Sequence, residues 1–127
     1  MIINGVEIQD IDMMDADVAE RYECAMKDVT EKMNAISPDI SRSQAIRQTC
    51  TAVFSVFDKV FGNGTAVKVF GKTTNMTVCI KAFEELVTAV NRIESNQVND
   101  IKQISYKYNN RQQKSRKKHK NGYVNRR

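Results

Sequence analysis

The segment Gly71-Lys72-Thr73 carries the residue types of a phosphate-binding loop, in which glycine amides cradle phosphates while Lys and Ser/Thr engage phosphate and magnesium. The spacing does not match. The first glycine of such a loop would fall at Ala66, and the residues before it read as helix rather than as a buried strand. A chain of 127 residues also lacks room for the parallel sheet that these loops serve. Gly62, Gly64 and Gly71 are therefore read as interhelical turns that use positive φ angles, and no cofactor is expected.

Other chemistry is equally thin. Cys24, Cys50 and Cys79 lie 26 and 29 residues apart, with no C-x-x-C pair and only His119 to complete a metal set, so neither a structural zinc site nor a disulfide framework fits. All three sit among apolar neighbours at helical spacing, where free cysteine packs as a small hydrophobe. General acid–base work needs carboxylates or imidazole held in a pocket. Here the carboxylates mostly occupy polar helix faces, with Glu84 and Glu85 beside an apolar seam and His119 among lysines. Nor does a serine sit in a G-x-S-x-G elbow. No catalytic, cofactor-binding or metal-ligating residue is assigned, and a non-enzymatic protein is expected.

Charge is the most informative property. The net +5 is the sum of two opposed parts: Met1 to Asp100 holds all 15 acids and 10 of the bases, whereas Ile101 to Arg127 holds 10 bases and no acid. A mildly acidic body with a basic arm points to a negatively charged partner for the arm. Tyr108, Arg111, Lys114, Arg116, Lys117, Lys118 and Lys120 are the candidate contacts, combining phosphate-seeking charge with an aromatic that can stack on bases. The same composition also suits a solvated tail. No run of 18 apolar residues is present, and Met1-Ile-Ile-Asn-Gly5 lacks the start of a signal peptide, so a cytoplasmic protein without membrane contact is expected.

The elements that must carry these residues are largely helical, since Met, Ala, Lys, Gln and Glu are frequent and proline occurs once. Asn4-Gly5 between two β-branched runs predicts a short N-terminal hairpin. Asp15 or Asp17 offers the cap of a first helix, whose stripe runs through Val18, Tyr22, Ala25, Val29, Met33 and Ile36 until Pro38 ends it. Ser41 with Gln44 forms a capping box for a second helix through Ile46, Cys50, Val53, Phe57 and Phe61, closed by Gly62. Thr65 is expected to cap a short turn of helix to Phe70. Thr74 or Asn75 then caps a third long helix in which Phe83, Val87, Val90, Gln97, Ile101, Ile104 and Tyr108 keep a heptad-like seam apart from Glu94, with a break near Ser95 to Asp100 an open alternative. Phe54, Phe57, Phe61, Phe70 and Phe83 are expected to form the core that locks the second helix to the third. The fold class is all-α: three main helices, a short N-terminal β element, and a disordered basic arm. The expected boundaries are 1–108 for the helical domain and 109–127 for the arm.

The run Val56-Phe-Asp-Lys-Val-Phe-Gly-Asn-Gly-Thr-Ala66, continued by Val69-Phe-Gly-Lys-Thr-Thr-Asn-Met76 and Ile80-Lys-Ala-Phe-Glu-Glu85, resembles small tail proteins of phages and prophages of Gram-positive bacteria. Tyr108-Asn-Asn-Arg111 and the basic end are similar to the termini of such proteins, although no proline precedes Asn109 and the lysine run is longer. The resemblance covers roughly residues 50 to 111. It implies a tail assembly chaperone or related tail protein that is helical and non-enzymatic. Such a protein would self-associate as a homo-oligomer and bind the tape measure or tail tube proteins, in the host cytoplasm or in the virion tail. The longer lysine run leaves nucleic acid open as a partner of the arm.

Overall fold

The computed structural model describes the backbone of residues 1–124 and the side chains of residues 1–110. Elements follow in the order β1 (Ile2–Ile3), β2 (Val6–Glu7), α1 (Ala16–Asn34), α2 (Arg42–Phe61), α3 (Thr65–Phe70) and α4 (Met76–Val124). The chain divides into two compact units, Met1–Glu94 and Ser95–Arg127. That division falls inside α4 and ahead of the 108/109 break expected from composition. The arm residues from Arg111 onward, including Lys114, Arg116, Lys117, Lys118 and Lys120, lie outside the residues whose side chains are described.

β1 and β2 pair antiparallel with Ile2 opposite Glu7 and Ile3 opposite Val6. Asn4 at φ 52° and Gly5 at φ 72° supply the two left-handed residues that a tight two-residue hairpin requires. So small a sheet cannot stand alone, and it is anchored to the helices. Ile3 is fully buried, the Asn4 side-chain amide donates to the Val69 carbonyl at 2.9 Å, and the Asn4 backbone amide donates to Glu85 Oε1 at 3.2 Å.

α1 is capped by Asp15, whose carboxylate accepts from the amides of Asp17 and Val18. It buries Ala25 and Val29, with Val18, Tyr22 and Met26 packed partly against the core. The helix stops at Asn34, earlier than Pro38 alone requires, so Ile36 is not on its stripe. Ser37 is disfavoured in the helical region because proline follows it, and its hydroxyl instead accepts from the Asp39 amide. α2 begins with both halves of the capping box: Ser41 Oγ accepts from the Gln44 amide, and the Gln44 side chain accepts from the Ser41 amide. Cys50, Ala52, Val53, Val56, Phe57 and Val60 give it the widest buried face of the helices.

Gly62 ends α2 at φ 110° and Gly64 precedes α3 at φ 93°. The Thr65 cap expected from the sequence is replaced. Thr65 Oγ1 donates back to the Gly62 carbonyl, and the free amide of Ala66 is taken by Asp58 Oδ1 at 2.9 Å, so a carboxylate from the last turn of α2 caps α3. After Gly71 at φ 60°, Asn75 Oδ1 accepts from the Val78 amide and starts α4. α4 is 49 residues long and has no break between Ser95 and Asp100.

Candidate functional site

Within the Met1–Glu94 unit the aromatic residues settle around the glycine turn. Phe57 is fully buried, with ring centroids 5.3 Å from Phe70 in edge-to-face geometry and 6.2 Å from Phe61. Phe54 reaches Phe70 at 4.9 Å. The Phe57–Phe61 pair is stacked and Phe54–Phe70 tilted, and such aromatic contacts add to the area they bury. Phe57, Phe61 and Phe70 therefore join α2 to α3, and Gly62, Gly64 and Gly71 supply the turns around them. Phe83 does not belong to this cluster. It lines a separate apolar groove of about 210 Å³ with Val29 and Met33 of α1, Val53 of α2 and Ile80 of α4. Met33 and Ile80 are 37% and 41% exposed, so the groove opens to solvent.

The buried line of α4 is rotated from the seam expected of it. Cys79, Ala82, Leu86 and Val90 are fully buried, while Phe83 and Val87 flank them half-buried. A second open groove of about 620 Å³ lies between the hairpin and α4, where Met1 and Ile2 face Lys81, Glu84, Glu85 and Arg92. Its charges are of both signs, which selects no ligand charge. Among the described residues, no group of three His, Cys, Asp or Glu side chains is placed to hold a metal ion.

Three titratable groups of this unit depart from their ordinary behaviour. Asp28 bridges Lys59 of α2 at 2.8 Å and Lys32 of its own helix at 3.0 Å. Hydrogen bonds from Lys59 and then Lys32 hold its carboxyl below the usual carboxylate range. Tyr22 is pushed above the ordinary phenol value, first by burial and then by the charge of Glu94. Burial, and then the neighbouring Cys50 thiol, pushes the Cys79 thiol up to about 12, and both cysteines are fully buried in the apolar core. Cys24 departs from the expectation for all three cysteines, since its face of α1 is exposed.

The Ser95–Arg127 unit has the opposite character. Ile101, Ile104 and Tyr108 are 49%, 68% and 62% exposed at helical spacing, with Tyr106 also exposed. Of the arm residues expected to bind, Tyr108 alone falls among the described side chains. Sequence reasoning missed the tying roles of Asn4, Asp28, Asp58 and Glu85, polar side chains that join elements, as Lys32 and Ser55 also do at 3.3 Å between α1 and α2. Asp58 had a usable signal, a carboxylate eight residues before the Ala66 amide of the next helix across a Gly-x-Gly turn; the others depend on contacts distant in the chain.

No helix among the described residues is long and apolar enough to cross a membrane. A family model with the description "Family of unknown function (DUF6673)" matches residues 4–120. Neither the curated proteins nor the solved structures contain a match to the chain.

Proposed function

Since the chain belongs to the DUF6673 family, whose function is unknown, we propose that it is a non-enzymatic binding protein of the phage tail assembly chaperone kind. It self-associates and engages tape measure or tail tube proteins through apolar helix faces, in the cytoplasm of a bacterial host. The observation that carries a binding role is the exposed apolar line of Ile101, Ile104 and Tyr108, large side chains that water solvates poorly and a facing helix would cover. The tail assignment rests on the resemblance over residues 50 to 111.

A second proposal is favoured by the ten bases and no acid of residues 101–127: nucleic-acid binding through the arm. A third places the protein in the virion as a structural tail component. Light scattering coupled to size exclusion, at low and high salt and with a short duplex DNA, separates the first two. A salt-resistant oligomer that ignores DNA supports the assembly role, because apolar contacts are little screened. A monomer that shifts with DNA only at low salt overturns it.

A further inference from the structure

Beyond Glu94, Gln97, Ile101, Ile104 and Tyr108 of α4 are separated by four, three and four residues, and the last three are exposed. That is the spacing of a coiled-coil seam, whose side chains insert between those of a facing helix. With Ile101 and Tyr108 at heptad position a and Gln97 and Ile104 at d, Asp100 and Lys107 both fall at g, on one flank of the seam. Residues on that flank set the orientation and partner of a helix pair.

We propose that this stretch of α4 pairs antiparallel with the same stretch of a second copy, Ile101 of each chain packing against Ile104 of the other. The inference deepens the self-association proposed above and rests on it. In an antiparallel pair a residues meet d residues and g residues meet g residues. The register that joins Ile101 to Ile104 therefore joins Tyr108 to Gln97, and it places Asp100 against Lys107, each contact twice by two-fold symmetry. A parallel pair offers no such match, because Asp100 then meets Ser105. It also lays side by side two segments of ten bases and no acid, whereas the antiparallel pair directs them to opposite ends. The seam and its flanking charges are thus complementary to a second copy of themselves, and charge selects the antiparallel orientation. Four layers make a small interface, below about 1,200 Å² and hence of the weak, concentration-dependent class.

Sedimentation equilibrium of the full chain tests the pairing. Ile104→Asp is expected to weaken association at least ~100-fold, since a carboxylate replaces an apolar contact in two layers. Asp100→Lys and Lys107→Asp each create two like-charge contacts and are expected to weaken it about tenfold. An equimolar mixture of these two variants should recover the unaltered affinity, because each copy supplies the charge the other now lacks. Far-ultraviolet circular dichroism and thermal melts confirm that the variants fold. A mixture as weak as its components overturns the antiparallel register. An oligomer that persists unchanged in all three variants overturns α4 pairing but leaves self-association standing. An unaltered chain that stays monomeric at every concentration overturns both.

Discussion

α4 before and after Glu94 carries apolar side chains at the same helical spacing, with opposite fates. In the first stretch Cys79, Ala82, Leu86 and Val90 are fully buried, within the core that includes Val29 of α1 and Val53 of α2. In the second, Ile101, Ile104 and Tyr108 are between 49% and 68% exposed. Periodicity tells which side of a helix is apolar; it does not tell whether the chain supplies something to cover that side. A line left uncovered within the chain is where an interaction partner has most to gain, because burial of apolar area is the main favourable contribution to association.

The contrast can be broken most severely at Phe57. Phe57→Ala empties the centre of the aromatic cluster and is expected to cost about 3–5 kcal/mol, enough to leave the Met1–Glu94 unit largely unfolded in urea titrations. A direct comparison of the two stretches comes next. Leu86→Ala should destabilise by about 2–5 kcal/mol, while Ile104→Ala should stay within about 0.5 kcal/mol of the parent when measured on the dilute, unassociated chain. Equal effects at the two positions would erase the distinction between the stretches.

Thiol chemistry sharpens the same contrast on a smaller scale. With Cys79 pushed up to about 12 and Cys50 fully buried, a maleimide at neutral pH should label exposed Cys24 at least ~100-fold faster than either, as read by mass spectrometry. Comparable rates would mean that the core opens easily. The smallest effect belongs to Asp28. Because Lys59 and Lys32 lower its folded-state pKa, its contribution to stability is present above the ordinary carboxylate range and is lost as pH falls through the lowered value. Lys59→Ala should flatten that acid-side slope in thermal melts and lower stability at neutral pH by the same small amount, leaving the acid end unchanged, as expected of an exposed pair.

Local chemistry made much of the fold legible. The Asn4-Gly5 turn, the Ser41–Gln44 capping box, the Gly62 stop and the Asn75 start each depend on residues within about four positions of one another, and each is realised as the sequence predicts. Expectations failed where the decisive partner lay farther away. Thr65 lost its capping role to Asp58, because a carboxylate reaching back across the turn satisfies the Ala66 amide while the threonine hydroxyl bonds the Gly62 carbonyl. Phe83 went to the groove rather than to the aromatic cluster, since Val29 and Met33 of α1 and Val53 of α2 line its side of α4. The candidate binding residues of the arm were the least legible, because a basic composition names a class of partner without fixing a geometry.

By itself, then, the sequence determined the caps that start α1, α2 and α4, the glycine stop of α2, the amphipathic character of the helices and the separation of an acidic body from a basic end. These follow from hydrogen bonding and side-chain spacing over one or two turns. Only the tertiary structure decided which apolar lines are covered, which polar side chains join distant elements, and that α4 passes through Ser95 to Asp100 unbroken. Burial and long-range hydrogen bonds depend on what other segments bring into contact, and no local pattern encodes that.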